Sequence, residues 1–352
     1  MVSVDRVSDE RADPTVSTTS DAATPDAAPG AARDAAPESG HSEATRVPWA
    51  AVAVFAVVSC GLAWAVASPL WVRGLGMTDP LLPVIAAAMM LTPAIATVAA
   101  LLVERRQRGR RGARGILRDL GMWPLRPLGR TLGMSAVAIV ALPLLIAAGL
   151  AVVGLLDLAR FDLVGFSGFA EQLETMLPAG TPAPPIMLLV TMQLVMVPIG
   201  AIINAPLAFG EEIGWRGWLL PALRPLGVWP ALLLSGAFWG FWHSPLILLG
   251  YNFGLTDVSG VLLMILACMV LGVLLGWTRL RTGSVWPAVF GHGAFNAAAG
   301  LGALVVAADS PVPPAWLAGP AGLITCAVMA AVVAVLVAAG QFRRDRVEAR
   351  LG

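Results

Sequence analysis

The sequence predicts an all-α protein, a polytopic membrane bundle of about eight transmembrane helices. Of its 352 residues 57% are hydrophobic and only 13% are charged, with a mean hydropathy of +0.78, whereas about a quarter of a soluble domain is charged. Apolar runs recur from Val47 to Gly340, and about 20 such residues cross a bilayer as a helix. Every one of the 23 basic residues is arginine, and most of them fall between the apolar runs.

Residues 1–46 are of a different kind. They are rich in Ala, Asp, Pro, Ser and Thr, with nine acids and four arginines, and such a composition cannot bury a core. The expectation is a disordered acidic cytoplasmic tail. Its acidity and the lack of an early apolar run argue against a secretory or transit peptide. A transmembrane domain is expected over 47–340 and a basic cytoplasmic tail over 341–352.

Eight apolar stretches fill the domain, at 47–70, 81–103, 132–156, 186–209, 228–249, 258–277, 285–306 and 315–340. Cytoplasmic loops keep an excess of positive charge. The loop 104–130 holds nine arginines against two acids and is therefore cytoplasmic. Arg216 and Arg224, Arg279 and Arg281, and the arginines of the tail fall on that same side when the spans alternate. The opposite loops carry Arg73 with Asp79, Arg160 with Asp157, Asp162, Glu171 and Glu174, then Asp257 and Asp309 alone; none is net positive. A multi-pass protein of the cell (plasma) membrane with both termini cytoplasmic fits every loop. Anionic lipid accounts for the basic loop, so no nucleic-acid partner is expected. No internal repeat of the transporter kind is visible. Cys60, Cys268 and Cys326 each sit in an apolar run and read as small buried hydrophobes.

Ionisable groups inside spans are expensive and are functional candidates by default. Here they are Glu211 and Glu212 with Arg216, then His243 and His292, joined by the amide Asn296. Glu212 and Arg216 are four apart, as are His292 and Asn296, so each couple shares a helix face. Glu211 and His243 lie sixteen residues either side of Gly227, which sets them at similar depth, about 20 Å from that turn. His292 starts from the same side, at a depth of roughly 15 Å. The stretch from Ile186 to Leu223 is too long for one straight crossing, and Pro198 and Pro206 are the places to break or kink it.

A carboxylate and an imidazole can together take a proton from water, and a second imidazole with an amide can donate to a developing oxyanion. Together these groups describe hydrolysis of an acyl bond, above all a peptide bond. Each residue also has a plain structural reading. Glu212 with Arg216 is a possible structural ion pair, a membrane histidine can simply bond a neighbouring helix, and Asn296 can join two helices. Trp215, Trp218, Phe238, Trp239, Phe241 and Trp242 read as packing or interfacial residues. The convergence of the polar groups on one depth favours a shared site.

The run Glu211-Glu212-x-x-x-Arg216, then His243 in an aromatic-rich helix, then His292-x-x-x-Asn296, resembles the CPBP family of intramembrane proteases. That family includes type II CAAX prenyl proteases and bacteriocin-processing or self-immunity proteins. The resemblance covers about 186–306, the expected protease-like core. It implies Glu211 as general base acting with His243 on water, His292 and Asn296 as oxyanion donors, and Glu212 with Arg216 in support. The family usually has Phe four residues before the motif histidine; Trp239 stands there, with Phe238 adjacent, and keeps an aromatic. The resemblance leaves the cofactor open: two histidines and a carboxylate are a set that catalytic zinc uses, but the chain has no H-E-x-x-H pair, and a metal-free glutamate mechanism needs none. The implied substrate is a membrane-associated or lipidated protein or peptide. Two rival functions are a non-catalytic membrane scaffold or bacteriocin-immunity factor, and a proton-coupled transporter in which the same groups relay protons.

Overall fold

The computed structural model describes residues 46–109, 112–178 and 181–347; the expected acidic tail over 1–45 and the end of the basic tail, 348–352, lie outside them. Within the described residues the regular structure is helical, apart from an isolated antiparallel bridge between Phe161 and Val306.

In chain order the helices begin with α1 (Trp49–Arg73), α2 (Leu82–Met89), α3 (Thr92–Arg108), α4 (Ala113–Asp119), α5 (Leu128–Leu155) and α6 (Ser167–Met176). Next come α7 (Ile186–Ile203), α8 (Ala205–Glu212), a π-helical turn (Ile213–Leu219), α9 (Leu220–Leu223), α10 (Val228–Trp242) and α11 (Ser244–Ile247). The series ends with α12 (Val258–Thr282), α13 (Trp286–Ala297), α14 (Leu301–Val305), α15 (Ala315–Ala318), α16 (Leu323–Ala338) and α17 (Arg344–Val347).

All eight predicted apolar stretches are found as helix. Six of them form helices long and apolar enough to cross a membrane. The fifth and seventh are shorter, 15 residues in α10 and 12 in α13. Proline explains much of this segmentation. It stands in the first turn of α2, α3, α8, α9, α11 and α13, where its missing N–H costs nothing and a preceding helix cannot run through. Of the two prolines flagged in the long fourth stretch, Pro206 opens α8 after the break at Asn204, while Pro198 stays inside α7.

Helix α12 forms the centre of the bundle. It starts where the Asp257 carboxylate accepts the Ser259 N–H at 2.9 Å and ends at Gly283, whose φ of 70° suits the left-handed cap. Its length corrects one placement. The sixth stretch was expected to stop at 277 with Arg279 in a cytoplasmic loop; instead α12 continues to Thr282 and Arg279 is buried. Helix α10 lies directly against α12 because Gly236 and Gly240, four residues apart, leave backbone facing backbone. A Cβ on Gly236 would come within 2.6 Å of the Met269 Cα, and one on Gly240 would strike the Ile265 Cα. Such small-x-x-x-small contacts hold membrane helices together. This contact fixes the face of α10 that carries Trp239 and His243.

Candidate active site

Glu211 and Glu212 end α8, and the chain then winds through the π-helical turn that carries Arg216. Such turns are frequent at functional sites because they redirect side chains within a helix. All three side chains are buried, Glu212 at 0% exposure and Arg216 at 1%. A buried charge needs a partner. Arg216 Nη1 donates to Glu212 Oε1 at 2.8 Å, the contact expected from their spacing, and His292 Nδ1 donates to the same oxygen at 2.9 Å. The arginine's Cζ also lies 4.2 Å from the centre of the Trp239 ring. Gly272 of α12 makes room for this guanidinium, since a Cβ there would sit 3.1 Å from Nη2.

Glu211 has a different partner. Its Oε2 accepts the Trp239 indole N–H at 2.6 Å. One turn later His243 meets the Trp239 backbone carbonyl at 2.8 Å through Nδ1. A carbonyl only accepts, so Nδ1 carries the proton and the neutral ring keeps its lone pair on Nε2. The Trp239 ring is also 5.2 Å, edge to face, from the His292 ring. Trp239 therefore touches Glu211, Arg216, His243 and His292. Sequence reasoning treated it as a packing aromatic in place of the family's usual Phe; its N–H adds a bond that a phenyl ring cannot make.

Glu211, Trp239, His243, His292 and Asn296 line one cavity of about 420 Å³. The structure thus brings together Glu211, His243 and His292, as the depth argument expects, and puts Asn296 on the same wall one turn beyond His292. The rest of the lining is mostly apolar and includes Met89, Met90, Met264 and Met329. The contacts of two further residues were missed from sequence. His292 was coupled there with Asn296 alone, whereas its ring bonds Glu212. Arg279 was counted as a loop charge, whereas its Nε donates to the Arg216 carbonyl at 3.2 Å and its Nη2 to the Asp119 carbonyl at 2.8 Å. The signal for Arg279 was its place only two residues beyond an apolar run.

The residues present do not fit a zinc site. Among the described residues no three His, Cys, Asp or Glu side chains converge as ligands. The Glu212 oxygen that meets His292 is already shared with Arg216. No step below is routed through a metal.

No curated protein and no solved structure matches the chain. A family model does: residues 186–298 match the model described as Type II CAAX prenyl endopeptidase Rce1-like. The matched segment contains α7, α8, the π-helical turn and α9 to α13, and with them every polar residue of the cavity. That segment of this multi-pass membrane protein is similar to the CPBP/CAAX protease family.

Proposed function

We propose that the chain hydrolyses a peptide bond of a membrane-associated or lipidated polypeptide, using water activated by Glu211 and His243. The observation that carries this reading is the gathering of Glu211, His243 and His292 around Trp239 in one cavity. Water held between the Glu211 carboxylate and His243 Nε2 gives its proton to Glu211 as its oxygen adds to the peptide carbonyl carbon. His243 orients the water through Nε2 because Nδ1 is tied to the Trp239 carbonyl. The carbonyl oxygen becomes an oxyanion held by Asn296 Nδ2 and His292 Nε2. Since His292 Nδ1 donates to Glu212, Nε2 acts as a donor only when the ring carries both protons, and the Glu212 carboxylate balances that charge. The proton on Glu211 then passes to the amine as the C–N bond breaks.

The test is Glu211→Gln in the full chain, which keeps size and hydrogen-bond capacity but cannot take the proton. Cleavage in purified protein is expected to stop while insertion and thermal stability remain. Proteolysis at the wild-type rate rejects this mechanism. A variant that no longer cleaves yet still protects cells or supports a partner identifies the scaffold function instead.

A further inference from the structure

The mechanism above makes no use of Arg279, although this cation is buried on α12 beside the residues that it does use. Its two bonds go to backbone carbonyls, from Nε to Arg216 at 3.2 Å and from Nη2 to Asp119 at 2.8 Å. Nη1 is buried with no hydrogen-bond partner. A buried donor left unbonded costs stability, so the guanidinium is not placed to satisfy itself.

The sequence leaves both carbonyls short of a donor. In a π-helical turn an N–H bonds the carbonyl five residues back, as the Leu220 N–H does with the Trp215 carbonyl. The next acceptor in that register is the Arg216 carbonyl, and five residues on from it stands Pro221, in the first turn of α9, which has no N–H to give. Asp119 ends α4, and the last carbonyls of a helix have no donor within it. Arg279 serves both. Gly121, at a φ of 72°, lets the side chain in, since a Cβ there would fall 2.6 Å from the Arg279 Cζ. The segment that holds Asp119 is itself tied down, because the Gly121 carbonyl accepts the Val285 N–H at 3.0 Å and the Met122 carbonyl accepts the Trp286 indole N–H at 3.1 Å.

We propose that Arg279 is a positioning residue for the hydrolysis: it supplies the hydrogen bond that Pro221 withholds and braces the π-helical turn against the 119–122 segment, so that Arg216 stays in reach of Glu212. Arg216 Nη1 and His292 Nδ1 share Glu212 Oε1, so a shift of the turn reaches the His292 ring. His292 Nε2 is the group assigned to the oxyanion, and an interaction made only in the transition state acts on kcat and spares KM. The kinetic consequence rests on the hydrolytic reading, but the bracing can be tested without cleavage.

The experiment compares the full chain with Arg279→Met and with the double variant Arg279→Met, Pro221→Ala. Methionine keeps an unbranched stem and loses both bonds, and alanine at 221 returns a backbone N–H to the Arg216 carbonyl. Arg279→Met is expected to lower kcat about 10- to 100-fold, as a small misplacement by a change remote from the chemistry can, with KM unchanged. Pro221→Ala is expected to recover most of that loss, which a side chain needed only for packing would not allow. Hydrogen exchange over 213–223, read by mass spectrometry in detergent, is expected to quicken in Arg279→Met and to slow again in the double variant, because exchange follows local opening. An unchanged kcat in Arg279→Met overturns the proposal, as does a double variant as slow as the single one. Should Arg279→Met fail to insert, Gly121→Ala replaces it with the same outcomes, since its Cβ displaces the guanidinium while every bonding group remains. Failure of Glu211→Gln to stop cleavage leaves the exchange results intact, so the two proposals fall separately.

Discussion

The closed end of the buried cluster, around Glu212, and its open end, on the cavity, are built from opposite materials. At the closed end, Glu212, Arg216, His292 and Arg279 bond one another or backbone carbonyls, and Glu212 Oε2, Arg216 Nη2 and Arg279 Nη1 are buried beside those bonds with no hydrogen-bond partner. At the open end, Glu211 and His243 each have one oxygen or nitrogen fixed through Trp239 and present the other to an apolar cavity. The neighbouring glutamates are thus divided in duty. Glu212 is held by Arg216 and His292, and Glu211 keeps one oxygen for the water-activating role proposed for it. Charges of the same type in adjacent positions differ because a helix points successive residues about 100° apart.

Substitutions at the two ends are expected to separate these duties. The largest effect belongs to His243→Ala, which removes the water-orienting nitrogen and is expected to lower the cleavage rate by about 10²–10⁴-fold with an unchanged melting temperature; a matching fall in melting temperature would erase the distinction. Glu212→Ala leaves the Arg216 charge buried without its carboxylate. About 3–5 kcal/mol of stability should be lost, read as a lower midpoint in thermal unfolding in detergent, and a fully stable Glu212→Ala chain would show the closed end to be unimportant for folding. Trp239→Phe keeps the ring and deletes only the N–H. A hydrogen bond to a charged group is worth about 1.5–3 kcal/mol of stability, so the unfolding midpoint should fall by up to that amount, and kcat should fall with KM little changed because the Glu211 carboxylate loses the bond that fixes it; a rise in KM alone would make Trp239 a binding residue. The smallest effect is expected of Met329→Leu in the cavity wall, a near volume-conserving change costing less than about 1.5 kcal/mol. It should alter the preference among apolar residues at the cleaved bond without changing the rate on the best of them, as a peptide-library digest would reveal.

Much of this was legible in the residues. The low charge content isolates Glu211, Glu212, His243 and His292 from the apolar body, and the equal distances of Glu211 and His243 from Gly227 set those two at one depth; both line the same cavity. The Glu212–Arg216 contact follows from four-residue spacing alone. The contacts that escaped are those joining distant elements through atoms with no periodic pattern. The Trp239 indole N–H reaches back 28 residues to Glu211, and His292 reaches 80 residues to Glu212. Arg279 escaped because hydropathy ends a span at its last apolar residue, whereas α12 runs on until Gly283 and carries the guanidinium into the bundle. Two predicted spans, the fifth and seventh, proved shorter as continuous helices because hydropathy does not register the breaks at 243 and 298.

The π-helical turn over Ile213–Leu219 has a consequence for how this chain tolerates changes in length. A π turn advances more slowly around the axis than an α turn because it holds an additional residue. Deleting one residue there would restore α pitch and leave the flanking segments in about the same relation, because the additional residue is what the widened turn absorbs. The residues inside the turn would shift instead, Arg216 among them, and its reach to Glu212 would be lost although both residues would still be present. The connection 224–227, with Arg224, Pro225 and Leu226 on its way to Gly227, lies beyond the last of these contacts on its helix. Insertions between homologous chains should therefore accumulate at that connection, while the number of residues between Glu212 and Leu219 stays constant: the spacing itself is inherited as part of the site.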